Sequence, residues 1–99
     1  MVDIKVEVRN LRKSGKFFSS GYRPAFQVNE NYVSTGEIEL IGRDLLSCGE
    51  SAEAYVRFLT PNIYPNSMWE GKKLLFMEGN EITGEAIIEE IYNEILLRK

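Results

Sequence analysis

Two segments of this chain alternate with a period of two, and no other feature limits the fold as strongly. In Asp3–Arg9, Ile4, Val6 and Val8 share one side, while Asp3, Lys5, Glu7 and Arg9 share the other. In Ala52–Leu59, Ala52, Ala54, Val56 and Phe58 fall together. Successive side chains of a strand point to opposite faces, so these patterns make half-buried strands rather than helices. Such strands need partners that bury the same face. Ala25–Val28 follows Pro24, whose ring fixes φ and holds Arg23 extended. Glu37–Ile41 carries Ile38 and Leu40 inward, and Lys73–Met77 supplies another strand. Asn29-Glu30-Asn31 and Ser47-Cys48-Gly49-Glu50 read as turns, and Glu78-Gly79-Asn80-Glu81 as a hairpin turn, because Gly and Asn tolerate positive φ. Asn10–Ser20 and Pro61–Gly71 read as loops.

The last segment has two readings. Ile87, Ile88, Ile91, Tyr92, Ile95 and Leu96 have the i, i+3, i+4 spacing of an amphipathic helix, with Glu early and Arg98-Lys99 late to suit its dipole. Read as a strand, the same residues place Glu89 or Glu90 near an inner face, which is costly away from a rim. A sheet lacking this strand keeps an open edge.

Ninety-nine residues make one domain, 1–99, long enough for a real core. There is no histidine, which removes the commonest general base and metal ligand. With one cysteine, Cys48, there is no disulfide framework and no ordinary zinc site, so no metal and no cofactor are expected. No phosphate loop is present, and GTP hydrolysis by this chain is not expected. Glu89 and Glu90, as neighbours on a strand, point to opposite faces and do not form a catalytic pair. No catalytic residue is therefore assigned. No stretch approaches a membrane span, and the opening residues lack the apolar run of a secretory leader, which together with the lone cysteine predicts a cytoplasmic protein.

The sequence Gly21-Tyr22-Arg23-Pro24-Ala25-Phe26, followed by Gly36-Glu37-Ile38-Glu39-Leu40, resembles the third, C-terminal β-barrel domain of elongation factor Tu. There a Gly-Tyr-Arg-Pro turn feeds one strand and a Thr-Gly turn feeds an Ile-Glu-Leu strand. Cys48-Gly49-Glu50 is similar to that family's Pro-Gly-Asp turn, and Glu78, Gly79 and Gly84 hold the spacing of its Arg-Glu-Gly-Gly…Thr-Val-Gly run. The resemblance spans Asp3–Ile91. It implies an all-β, six-stranded antiparallel closed barrel, with Gly84–Ile91 as the closing strand and a short helical or frayed tail after it. The Pro61–Gly71 loop is about four residues longer than the family's, and the family's histidine before Gly-Tyr-Arg-Pro is absent.

In elongation factor Tu this domain contacts the T-stem of aminoacyl-tRNA, the GTPase domain and the exchange factor. The resemblance places RNA-contact positions at Thr35, Glu78 and Gly79, with Lys13 or Lys16 standing in for a basic contact. Phe17 and Phe18 beside the basic run Arg9–Arg23 add the cation-plus-aromatic mix of nucleic-acid surfaces. The chain's net charge of −3 and the acidic run Glu78–Glu94 act against phosphate. The two charge blocks are otherwise ordinary solvated faces.

Protein contact is the leading expectation. Tyr64, Met68 and Trp69 of the long loop are interface-type residues, and Leu75 and Met77 point outward if Leu74 and Phe76 point inward. Alternatively, Tyr64 and Trp69 fold back to plug the barrel. Tyr22, Arg23 and Pro24 read as a structural turn in which the Arg23 guanidinium ties to a carboxylate or carbonyl. The partner expected is another protein, translation-related or a toxin that binds elongation factor Tu. The alternative is an accessory domain that touches tRNA.

Overall fold

The computed structural model describes residues 2–99. Six strands close a barrel in the order β1 (Ile4–Asn10), β6 (Ser51–Phe58), β4 (Val33–Leu40), β3 (Ala25–Gln27), β7 (Lys73–Glu78) and β8 (Glu81–Ile91), all pairs antiparallel. A two-stranded ribbon, β2 (Phe17–Ser19) with β5 (Leu45–Ser47), lies outside the ring. The all-β, six-stranded closed barrel is the architecture expected. The two alternating segments pair with each other, Ile4 opposite Val56 and Val6 opposite Ala54, so their inward side chains meet directly.

The helical spacing near the C-terminus is resolved in favour of strand. β8 runs to Ile91 and pairs with both β7 and β1, leaving the barrel without an edge there. A single 3-10 turn, Glu94–Leu96, follows, with Asn93 accepting from the Ile95 amide as its cap. Two bulges reconcile the strand with the sequence. Lys5 pairs with Glu90 but Val6 with Ile88, so Glu89 is the extra residue and neither Glu89 nor Glu90 enters the core. Met77 pairs with Ile82 but Phe76 with Gly84, so Thr83 is the extra residue and β8 changes face early.

The barrel is narrow, and two glycines make room for its rings. A Cβ at Gly36 would lie 2.8 Å from Phe26, and one at Gly84 would lie 2.1 Å from Phe76. Phe26 and Phe76 fill that space, with ring centres 5.3 Å apart. Ser34, Thr35 and Gly36 lie inside β4 rather than in a turn before it; the turn is at Asn29, whose Oδ1 accepts from the Asn31 and Tyr32 amides.

Each barrel end is plugged. At one end the ribbon inserts Phe18 and Leu46, and Phe18 stacks on Tyr22 at 4.7 Å. Asn10 anchors this ribbon: it is fully buried, donates to the Leu46 carbonyl at 2.8 Å and accepts from the Arg12 amide. Phe18 thus leaves the basic surface to which the sequence assigned it, because a strand pairing turned Asn10–Ser20 from a loop into part of the core. At the other end Tyr64, Met68 and Leu96 are buried. The Met68 amide donates to the Leu96 carbonyl and the Arg98 amide to the Met68 carbonyl, so the long loop and the tail form one cap. Asp3, placed by alternation on the solvent side, is buried at this rim. Its carboxylate accepts from the Phe58 amide at 2.7 Å and from Asn93 at 2.9 Å. Ile38→Ala, which empties a fully buried position, is expected to lower stability by about 2–5 kcal/mol in urea denaturation.

Candidate interaction surface

Outward-pointing residues of four strands line up across the barrel wall. Ile82 lies opposite Met77, Met77 opposite Ala25, and Ala25 opposite Thr35, while the Leu59 amide donates to the Thr35 carbonyl. Directly opposed residues share one face of a sheet, so these five form one row, roughly 20 Å long at the usual strand spacing. Leu59 is 76 % exposed, Ile82 is exposed, and Met77 and Ala25 are half-buried. A second row, Leu75, Gln27 and Val33, runs beside it, with Val33 exposed.

Ion pairs border this apolar band on both sides. On one side Arg23 donates to Glu37 Oε2 through Nε and Nη2, at 3.2 and 3.1 Å, while Arg57 Nη1 reaches Glu37 Oε1 at 3.4 Å and Glu39 Oε1 at 3.2 Å. On the other, Lys73 Nζ pairs with Glu85 at 2.9 Å. A cleft of about 240 Å³ opens at the Leu59 end of the row, lined by Arg23, Thr35, Glu37, Arg57, Phe58 and Leu59. An apolar patch with a polar rim is the usual make-up of a protein-contact surface.

The sequence-selected contact residues divide between places. Leu75 and Met77 sit on this band, with Leu74 and Phe76 inward as expected. Tyr64 and Met68 do not: both are buried, Tyr64 giving its hydroxyl to Ser34 at 3.0 Å and packing edge-on against Phe58. They are plug residues, because the barrel end offers more apolar contact than solvent does. Trp69 stays partly exposed on the cap, between Lys72 Nζ at 4.5 Å and the Arg98 guanidinium at 4.3 Å. Lys72 donates to the Val28 and Ser67 carbonyls, and desolvation, then the nearby Arg98 charge, lowers its pKa.

The residues selected for RNA contact also separate. Lys13, Glu78 and Gly79 share the hairpin rim, Thr35 belongs to the apolar row, and Lys16 lines a small cleft with Ser47 and Cys48. The two charge blocks meet at that rim: Arg12 pairs with Glu78 at 3.3 Å and Lys13 with Glu81 at 3.8 Å. Glu85 and Glu90 of the acidic run pair with Lys73 and Lys5. Glu89 instead meets Glu53, and their shared hydrogen bond, followed by desolvation and the Glu53 charge, raises the pKa of Glu89.

The Gly-Tyr-Arg-Pro turn is held by contacts of its own residues. Arg23 ties to a carboxylate, and the Pro24 carbonyl accepts from the Gly36 amide. The Tyr22 hydroxyl donates to Glu78 Oε1 at 2.6 Å and lies 2.8 Å from Thr83 Oγ1. Burial, and after it the bond to Glu78, push this phenol up to about 12. An unfolded tyrosine ionises near 10, so the Tyr22 contribution is complete below pH 10 and is lost as pH rises toward 12. In alkaline denaturation Tyr22→Phe is expected to flatten part of that fall, leaving what Tyr64 and Tyr92, also raised, contribute. An unchanged slope would show that neither burial nor the Glu78 bond raises the Tyr22 phenol in solution.

Leu59, Ala25, Val33, Ile82 and Arg57 were not selected from the sequence. Alternation carries a signal for most of them, since Phe26, Ser34 and Phe58 point inward and their neighbours must point outward. Ile82 carries none, because the bulge at Thr83 sets its side. No protein-family model matches the chain, and no curated protein matches it. Among the described residues, no group of His, Cys, Asp and Glu is arranged to hold a metal ion, and no helix is long and apolar enough to cross a membrane.

Proposed function

We propose that this chain is a non-enzymatic binding module that takes a protein partner on the Ile82–Met77–Ala25–Thr35–Leu59 row. The observation that carries this reading is the row itself: apolar side chains left outside a closed barrel, in register over its wall and rimmed by ion pairs. The barrel architecture is compatible with the form of the third domain of elongation factor Tu. On that likeness the module acts in the cytoplasm as a mimic, occupying a translation-related protein or a toxin that binds the factor. Fold alone does not fix function, so the mimicry rests on the quoted motifs.

The test is capture from a host lysate by the wild type and by Leu59→Asp/Ile82→Asp, which charges both ends of the row at exposed positions. A protein retained by the wild type is expected to be lost by the variant, by about 30-fold or more if the row holds interface anchors, with an unchanged melting temperature. Equal retention by both would remove the row from the interface. The second reading, an accessory tRNA-binding domain, draws on Phe17, which is 56 % exposed on the ribbon beside Lys16. It requires tRNA affinity that falls steeply with salt and survives the row variant.

A further inference from the structure

We propose that the cap binds a phosphate monoester group through Lys72 and Arg98 beside Trp69, a site that does not depend on the apolar row. On the barrel wall Lys5, Arg12, Arg23, Arg57 and Lys73 each pair with a carboxylate. Lys72 and Arg98 do not: among the described residues, no carboxylate lies within ion-pair distance of either, and Glu70 and Glu94, near them in sequence, form no ion pair. Burial and then the Arg98 charge lower the Lys72 pKa, and no acid raises it back, so this cation pair is uncompensated. Both cations are nevertheless held. The Arg98 amide donates to the Met68 carbonyl at 2.7 Å, and its guanidinium lies 4.3 Å from the centre of the Trp69 ring. Cation–π attraction keeps it there without using an N–H, and among the described residues its side chain donates to no protein group, so its planar fork is free. Lys72 Nζ, 4.5 Å from the same ring, gives one N–H to the Val28 carbonyl and one to the Ser67 carbonyl, and its last N–H remains. The free donors are therefore a fork and a single N–H, carried on two charges. A carboxylate or a phosphodiester brings one negative charge and two free oxygens. A phosphate monoester brings about −1.5 to −2 at pH 7 and three acceptor oxygens, which match both the charge and the donors.

Trp69 is the sole tryptophan, so its fluorescence reports on this site directly. The probes are inorganic phosphate and N-acetyl-phosphoserine methylamide, titrated into isotope-labelled protein at constant ionic strength and followed by Trp69 fluorescence and amide chemical shifts. Both are expected to saturate, with shifts centred on residues 67–72 and 97–99. Acetate and dimethyl phosphate are expected to bind about tenfold or more weakly, as loss of one charged hydrogen bond implies. Tighter binding of the phosphoserine compound than of phosphate supports the site with a phosphorylated chain as its ligand; equal or weaker binding supports it with a free phosphate compound. Arg98→Gln is expected to lower phosphate affinity about tenfold, and Arg98→Lys, which keeps the charge and the fold but drops the fork, by a smaller factor. Lys16→Gln, which removes a cation without an ion pair beside the ribbon, is expected to leave affinity unchanged. Acetate or dimethyl phosphate binding as tightly as phosphate, an equal loss in Lys16→Gln and Arg98→Gln, shifts confined to other parts of the barrel, or no saturable response in the wild type would each overturn the proposal.

Discussion

Gly84→Ala is expected to destabilise the barrel at or above the upper end of the ~1–3 kcal/mol usual for overpacking. The added Cβ would meet Phe76 Cζ at 2.1 Å and Cε1 at 2.3 Å, and the Arg9 carbonyl at 2.7 Å. The ring cannot step aside. It is fully buried and wedged among Phe18, Tyr22 and Phe26, with centroids 5.3 to 6.1 Å away. The Arg9 carbonyl is backbone of β1, paired with β8 over this stretch. Phe76→Ala alone should cost about 3–5 kcal/mol by leaving a cavity. The double variant should cost clearly less than the sum, because each change relieves part of the damage done by the other. Gly36→Ala is the internal control: its close contacts, 2.8 Å to Phe26 and 3.1 Å to Val56, are all side chain, and its cost should be smaller. Urea midpoints for the four variants decide the matter. A neutral Gly84→Ala, or strictly additive costs with Phe76→Ala, would mean that the ring does not occupy this position.

Removing Asn93–Lys99 is expected to cost at least the ~2–5 kcal/mol of one buried leucine. Leu96 is fully buried in the cap, and the same segment accepts from the Asn66 and Met68 amides and supplies the Asn93 donor to the Asp3 carboxylate. Leu96→Ala should reproduce most of the loss with the backbone bonds kept. Trp69→Ala should cost less, on the order of 1–2 kcal/mol, since it removes two cation–π contacts at a partly exposed site. This ranking separates plug from anchor. A Trp69→Ala loss as large as the deletion's would place Trp69 in the plug with Tyr64 and Met68. A Trp69 change that leaves stability intact and lowers partner capture would extend the interaction surface to the cap. Melting temperatures, with Trp69 fluorescence reporting on the cap, distinguish these outcomes.

The residues that stayed legible in the sequence are those whose position follows from a period of two. Ile4, Val6 and Val8, Ala54, Val56 and Phe58, and Leu74 and Phe76 all point inward as alternation requires, and Leu75 and Met77 point outward with them. The turns followed from residue chemistry: Gly79, with φ of 58°, opens the β7–β8 hairpin, and Gly49, with φ of 81°, turns the chain between β5 and β6. That the Arg23 guanidinium ties to a carboxylate or carbonyl was readable from the turn that carries it; that the partner is Glu37 came from the pairing of strands. All of these depend on local geometry, which a few consecutive residues specify.

Tertiary structure decided what local chemistry leaves degenerate. Glu85–Leu97 carries helical spacing, yet β8 forms because β1 and β7 both present unpaired backbone that only a strand can satisfy. Its two bulges, at Thr83 and Glu89, set which side chains face out, and no residue type announces them. Tyr64 and Met68 have the composition of an interface, but an open barrel end within reach of their loop takes them first. Asp3 has the pattern of a surface residue and becomes buried because Phe58 and Asn93 meet it at the rim. The Ile82–Leu59 row joins residues far apart in the sequence, from Ala25 to Ile82. Sequence by itself determined the strands that alternate, β1, β6 and β7, with their inward faces and the glycine turns; closure of the ring determined the ribbon, the last strand and which outward residues became neighbours, because register between distant strands is a property of the whole sheet.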